Sequence, residues 1–349
     1  MKAPAKGGWR KAADLLASAL PPARLDPSAV RWADARPAGE RWAVALSGGA
    51  DSVCLLLLVW AHWPKRRRHL CALHFDHRLR GRESAADARF CAQLCRALGV
   101  PLVSGRWSDG PRGASEALAR TARFRFFASA TARRRTRVLW FGHQQDDIAE
   151  TMLMRLSRGS GSGGLAAPRP VHAVGSGLAA RVHVRPLLTL KKAGILAALG
   201  GTGAAWREDS SNLGPAHFRN RIRRTVIGPW ARASGRDAVA GAALTRELLD
   251  EDDQALEAWV DDLAPVGKDG SLLLGRLSGR PRAVLRRALH RWLLLQRGAG
   301  GLSRQGFEAL LGAAERGGAF RHSLGNQGFA LVRRGRIRFE KKPKTRVAD

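Results

Sequence analysis

Between residues 41 and 156 the hydrophobic period of the chain changes again and again. Residues 42–46 form a short apolar run with β character. Residues 53–60 are apolar on nearly every face, which reads as a buried helix. Residues 69–75 look like a second strand. Residues 84–98 follow as a helix with Phe90, Leu94 and Leu98 on one stripe. Residues 102–103 start a third strand, and 114–132 place Leu118, Ala122 and Phe126 in helical register. A further strand at 137–141 and a helix at 146–156 complete the series. Strands alternating with helices predict an α/β fold, a parallel sheet covered on both faces.

The stretch GSGSGG at 159–164 breaks this rhythm, as a gate over a site or as a plain linker. Residues 181–188 are strand-like and 190–199 helical. Residues 206–230 are polar and Arg-rich, with Pro229 near the end, and suggest a domain boundary. The expected organisation is an N-terminal extension with a helix (1–40), an α/β domain (41–229) and a C-terminal domain (230–349). In the last of these, 244–260 is a helix with the densest acidic cluster of the chain. Residues 282–295 and 306–315 are further helices. Short strands at 320–323, 329–333 and 336–339 follow, the last two joined by a turn at Arg334-Gly335. This predicts a smaller, mostly helical domain with a few antiparallel strands. The apolar stretch at 15–20 is too short for a secretory signal and reads as a helix ending before Pro21. No segment approaches the roughly 18 apolar residues that would cross a membrane.

Charge narrows the picture. The 349 residues hold 60 Lys and Arg against 29 Asp and Glu, a formal charge of +31. A field of that sign selects polyanions, nucleic acid first. Cys54, Cys71, Cys91 and Cys95 include no Cys-x-x-Cys pair, no zinc or iron–sulfur pattern and no disulfide framework. A reducing, cytoplasmic location is the expectation.

The candidate chemistry starts at SGGADS, residues 47–52, between the first strand and the buried helix. Glycines there let backbone approach a ligand, and the helix start offers free N–H groups, a combination suited to phosphate. No Gly-Lys-Ser/Thr follows, so it is not a Walker A loop, and the dinucleotide fingerprint is absent. Asp51 would repel phosphate unless a metal ion lay between them, which makes it a candidate magnesium ligand. A helix start with Asp51 or Ser52 as its N-cap would explain the same residues. Asp147, Glu150 and Thr151 share one helix face after a later strand, where acids also suit the helix dipole.

With its flanks, SGGADS resembles the pyrophosphate-binding PP-loop. Together with FDHRLRGRES (75–84), HQQDDIAET (143–151), EDSSN (208–212) and FRNRIRR (218–224), the chain from about 42 to 230 is similar to the tRNA(Ile)-lysidine synthetase family. LGNQGFALVRRGRIRF, near the C-terminus, is a weaker likeness to that family's terminal strands. The resemblance implies a doubly wound PP-loop domain of the adenine nucleotide α-hydrolase kind. It implies ATP and Mg2+ as cofactors, with ATP held by Ser47, Gly48, Gly49, Ala50, Asp51 and Ser52. His77 and His143 would contact adenine, ribose or phosphate. Asp147 and Glu150 would bind the amines of free L-lysine, and Asp51, Arg123 and Asp147 would be catalytic. Arg120 competes with Arg123 for the place at the α-phosphate, where a guanidinium would stabilise developing charge. Arg219, Arg221, Arg223 and Arg224 would grip tRNA phosphates or close over the activated intermediate. The implied reaction joins lysine to C2 of the wobble cytidine in a CAU-anticodon isoleucine tRNA. The C-terminal domain would recognise that tRNA. Two alternatives stand beside it, a PP-loop tRNA thiolase of the 2-thiocytidine kind and a tRNA-binding protein with an inactive site. The chain departs from the family pattern at Gln144, in place of a second His, at Ile148, in place of Gln, and at Phe124, in place of Tyr. Oligomeric state is not legible.

Overall fold

The computed structural model describes residues 8–77, 82–108, 115–175, 177, 180–208, 218–296, 302–325 and 328–342. The chain divides into two compact units, residues 1–250 and 251–349.

The first unit opens with α1 (Gly8–Ala19) and α2 (Pro27–Asp34), then β1 (Trp42–Ala45) and α3 (Ala50–His62). Next come β2 (Leu70–Asp76), α4 (Arg82–Leu98), β3 (Leu102–Arg106), α5 (Glu116–Arg133), β4 (Val138–Trp140) and α6 (Gln145–Leu156). A short α7 (Ser162–Leu165), β5 (Val171–Val174), β6 (Arg181–Val184) and α8 (Lys192–Gly201) follow. The last elements are α9 (Phe218–Arg221), a π-helical turn (Ile222–Val226), α10 (Ile227–Ser234) and the start of α11 (Ala238–Leu263).

The strands form one sheet in the order β3-β2-β1-β4-β6-β5. All neighbours are parallel except β5, which runs antiparallel to β6 on the edge. The chain lays β1, β2 and β3 outward in one direction and then returns to the far side of β1 for β4. The switch point therefore lies between β1 and β4, where open α/β sheets bind their ligands at the carboxyl ends of the strands.

Burial explains why β1 and α3 anchor this arrangement. Residues 53–60 of α3 are all buried, as are Trp42, Val44, Val138 and Trp140 in the central strands. Each such aliphatic side chain contributes roughly 1.5–3 kcal/mol by leaving water. Trp42 meets Trp140 with ring centres 4.8 Å apart. The N-terminal segment belongs to the same core, for Trp9, Leu16 and Leu20 are buried and Trp9 stands edge-on to Phe90 at 5.9 Å.

Two features differ from the sequence reading. Strand β5 is absent from it, because four residues with Ala173 and Val174 exposed carry no β alternation. The strand expected over 181–188 stops at Val184, since Pro186 opens a 3₁₀ turn, Pro186–Thr189. The two compact units part within α11, and residues just after 229 still pack in the first. Ile227, Trp230, Val239 and Ala242 pack with Ala149 and Met152 of α6, and Ala243 packs with Ile148 and Leu188.

In the second unit the remainder of α11 precedes β7 (Leu272–Leu273), α12 (Arg282–Leu295) and α13 (Arg304–Arg316). Strands β8 (Phe320–Ser323), β9 (Gly328–Arg333) and β10 (Arg336–Lys341) close the chain. These strands form an antiparallel sheet in the order β7-β10-β9-β8. Its core gathers Trp292, Leu289, Leu310, Leu311 and Ile337. Three acids of α11 pair inside this unit. Arg287 binds Asp253 at 2.5 Å and Glu257 at 2.8 Å, and Arg291 binds Asp261 at 2.6 Å.

Candidate active site

Beyond the carboxyl ends of β1 and β4 the first unit opens into a cleft of about 680 Å3. One wall is the loop between β1 and α3. Gly48 sits at φ +95°, where a side chain is strained, and a Cβ there would also come 3.3 Å from the Cys91 Sγ. The loop is tied from within by Ser52. Its hydroxyl accepts from the Ser47 and Gly48 amides, each at 3.2 Å, and donates to the Gly49 carbonyl at 2.9 Å. The helix N-cap is Gly49, with no side-chain cap, so neither Asp51 nor Ser52 caps α3. Arg207 fastens the loop from outside, its amide on the Gly48 carbonyl at 2.9 Å and its Nε on Asp87 at 2.7 Å.

Asp51 lies in the first turn of α3. Lys192, the first residue of α8, donates Nζ to its Oδ1 at 2.7 Å. Burial nevertheless lifts the Asp51 carboxyl above its ordinary range, with Lys192 pulling against it. The opposite lip comes so near that Gly142 admits no side chain. A Cβ there would stand 2.8 Å from the Asp51 carbonyl oxygen.

The second wall is the start of α6, fixed by a capping box. Gln144 accepts from the Asp146 amide at 2.6 Å, and the Gln144 amide donates to Asp147 Oδ2 at 2.9 Å. Arg219 of α9 then bridges the two acids, with Nη2 on Asp147 Oδ1 at 2.7 Å and Nε on Glu150 Oε2 at 2.6 Å. Arg223, in the π-helical turn, adds a bond to Glu150 Oε1 at 2.5 Å. Glu150 is 1% exposed. Burial raises the Asp147 carboxyl to about 6, with Glu150 adding to the rise and Arg219 opposing it. A carboxylate in that range accepts protons near neutral pH. His143 is pushed well below its usual value by burial, then by Arg185, Arg219, Arg120 and Arg123.

The cleft thus brings together Ser47, Gly49, Ala50, Asp51, Ser52, His77, Arg123, His143, Asp147, Arg219 and Arg223. Glu150 lies beneath it. Arg221 and Arg224 are exposed, and Arg221 stands over the Phe218 ring at 5.6 Å. Arg120 also borders the cleft, 4.8 Å from the Phe124 ring centre. Residues 78–81 of FDHRLRGRES and 209–212 of EDSSN lie outside the described residues.

Sequence reasoning did not single out Lys192, Arg207 or Arg185. Lys192 left a trace, because Lys191 and Lys192 open a helix against its dipole. The departures from the family pattern have local accounts. Gln144 is the N-cap of α6. Ile148 is buried against Leu188 and Ala243. Phe124 lines the cleft and packs among Phe127, Phe141 and His183 at about 6 Å. The four cysteines are buried, and burial lifts every thiol, Cys71 to about 11 and Cys95 to about 12. Among the described residues no group of three His, Cys, Asp or Glu forms a metal cluster.

A family model described as the PP-loop domain matches residues 28–229. The tRNA(Ile)-lysidine synthase of Zymomonas mobilis subsp. mobilis is 32% identical over 78% of this chain and 80% of its own length. The chain belongs to the tRNA(Ile)-lysidine synthase family of PP-loop proteins. Another relative in that family, the tRNA(Ile)-lysidine synthase of Geobacter sulfurreducens, is 36% identical over 74% of this chain and 56% of its own length. The chain spans little more than half the length of several curated family members it matches. A solved structure, the U34-tRNA thiolase NcsA from Methanococcus maripaludis, aligns over 68% of this chain and 78% of that one. Its TM-score is 0.49 at 15% identity.

Proposed function

We propose that the chain is a carbon–nitrogen ligase that joins free L-lysine to C2 of the wobble cytidine in CAU-anticodon isoleucine tRNA. The observation that carries this reading is the acidic pair beside the PP-loop in a chain of this family, Asp147 on the cleft wall and Glu150 buried, the two bridged by Arg219. An ATP-cleaving site alone would need no such pair.

In the first step cytidine O2 attacks the α-phosphate of ATP and pyrophosphate leaves. The start of α3 and the Lys192 ammonium receive the leaving group. Arg123, on the cleft wall, offsets charge on the α-phosphate; a donor in this role is worth roughly 3–4 kcal/mol of transition-state stabilisation. Magnesium is ordinarily held by one or two carboxylates together with substrate phosphates. Asp51, a single carboxylate at a phosphate loop, fits that pattern once nucleotide is bound. The ion would supply neutralisation of phosphate charge.

In the second step the lysine ε-amine attacks C2 and AMP leaves. An ammonium has no lone pair, so a proton must first be lost. Asp147, raised to about 6, accepts it, and Glu150 helps hold the amino acid. Arg219 and Arg223 occupy these carboxylates and give way as lysine enters. Ligands held in one cleft gain most of their acceleration from orientation. Arg221 and Arg224, the +31 charge and the C-terminal unit serve tRNA binding. No helix among the described residues is long and apolar enough to cross a membrane, and we place the reaction in the cytoplasm. The buried thiols with raised pKa disfavour a thiolase route through cysteine sulfur.

The test is incorporation of labelled lysine into bulk tRNA with ATP and magnesium, followed by digestion to nucleosides. A lysine-bearing cytidine that disappears in Asp51→Ala supports the reading. AMP formation without labelled nucleoside would keep the PP-loop chemistry and reject lysine. No ATP cleavage at all would favour a tRNA-binding protein.

A further inference from the structure

His143 borders the cleft at the start of α6, and its ring is fixed from behind by an arginine at the end of β6. Arg185 is 8% exposed. Its Nε donates to His143 Nδ1 at 3.2 Å, and its Nη1 donates to the Arg169 carbonyl at 2.7 Å. The guanidinium carbon also stands 5.5 Å from the Phe141 ring centre, and that ring lies 5.5 Å from the imidazole of His143.

A guanidinium has five donors and no acceptor. The His143 Nδ1 it touches must therefore present a lone pair, and the neutral ring carries its hydrogen on Nε2. The two ring nitrogens point in widely different directions, so fixing Nδ1 on Arg185 turns Nε2–H away from it. We propose that Arg185 is a positioning residue that locks His143 as a neutral Nε2–H donor to a phosphate oxygen of the nucleotide in the cleft. This rests on the ATP-dependent reading above for the ligand, but not for the tautomer.

The surroundings reinforce the lock. Arg120 and Arg123 of α5, Arg219 of α9 and Arg185 all disfavour an imidazolium, and burial adds to them. Asp147, on the same helix, is engaged with Arg219 and the Gln144 amide. His183 of β6 also packs on Phe141, with ring centres 4.9 Å apart, and is itself held neutral, pushed down to about 3 by burial and Arg185. One consequence is chemical. With Nδ1 occupied and Nε2 protonated, His143 has no lone pair to offer, so it is neither the base for the lysine ammonium nor a metal ligand. Asp147 is left as the proton acceptor.

Two-bond proton–nitrogen correlation on the full chain labelled with 15N-histidine reads the tautomer directly, without any assay of the reaction. The His143 signal is assigned by its loss in His143→Gln. The expected result is an Nε2–H ring that does not titrate from pH 5 to 8. An Nδ1–H ring, or an imidazolium in that range, would overturn the proposal whatever the enzyme makes. In Arg185→Gln, where the amide can also accept, a mixed or titrating ring is expected; an unchanged, fixed Nε2–H ring would show that Arg185 is not the lock. The donor role is read separately by ATP cleavage. Gln places an amide N–H near the Nε2 position and Asn does not. His143→Gln should retain most of the rate, and His143→Asn should lose about 10²–10³-fold. Equal losses in the two would reject the donor role while leaving the tautomer result to stand.

Discussion

Asp147→Asn should make the protein more stable and less active. The Asp147 side chain is 13% exposed, and its carboxyl is raised from 3.8 to about 6, mainly by burial. The folded state therefore binds this proton more tightly than the unfolded chain does. Below pH 3.8 both states are protonated and the group costs nothing. As pH rises through 3.8 the unfolded carboxyl ionises first, and stability falls until the folded group ionises near 6. Above that the cost is constant, about 3 kcal/mol for a shift of about two units. Asparagine removes it while keeping an oxygen for the Gln144 amide, and Arg219 retains its bond to Glu150 at 2.6 Å. The variant should thus gain about 3 kcal/mol at pH 8 and roughly half of that at pH 5. Urea denaturation of the full chain at both pH values measures the difference. In the same variant the lysine-dependent step should fail while ATP still binds. A variant less stable than the parent at pH 8, or one with the same gain at both pH values, would refute the reasoning.

Gly142→Ala should distort the nucleotide loop, since the new methyl would meet the Asp51 carbonyl at 2.8 Å and backbone has to move. A destabilisation of about 1–3 kcal/mol with loss of ATP binding is expected, and unchanged ATP affinity by equilibrium dialysis would contradict it. Lys192→Met removes the cation facing Asp51 and should weaken ATP binding roughly tenfold or more, the usual worth of a hydrogen bond to a charged group. An unaltered affinity would show that Lys192 serves only Asp51.

The fold was legible where periodicity was long and burial decisive. The apolar run at 53–60 reads as a buried helix, and the alternation up to residue 156 implies a parallel sheet, and both are present. The short edge strand β5 was hidden because an exposed edge needs no hydrophobic alternation. For the site, SGGADS and HQQDDIAET were visible because phosphate loops and helix-start acids are local in sequence. Lys192, Arg207 and Arg185 were not visible, because their roles come from contacts between elements far apart in sequence, with Lys192 separated from Asp51 by 141 residues. Nothing in a one-dimensional pattern marks which of many arginines turns inward. The segment 218–224 shows this well. Its arginines look alike in sequence, yet Arg219 and Arg223 turn to the acids, while Arg221 is exposed beside Phe218.

That partition changes how the basic composition should be understood. Glu150 is buried and holds two guanidinium groups, at 2.6 Å and 2.5 Å. A carboxylate at that depth cannot be left bare, because breaking a buried pair by removing one partner costs roughly 3–5 kcal/mol. On the proposed reading, lysine would enter by exchange, ammonium for guanidinium, rather than fill an empty acidic pocket. Each exchange releases an arginine beside the phosphate loop, where an anionic nucleotide would be bound. The π-helical turn that carries Arg223 suits such a movement, since these turns interrupt regular helix and concentrate at functional sites. The acids hold Arg219 and Arg223 in this structure; on the proposed reading the phosphates would receive them once lysine had taken their place, and gripping phosphate and closing over the intermediate would be successive states of the same side chains.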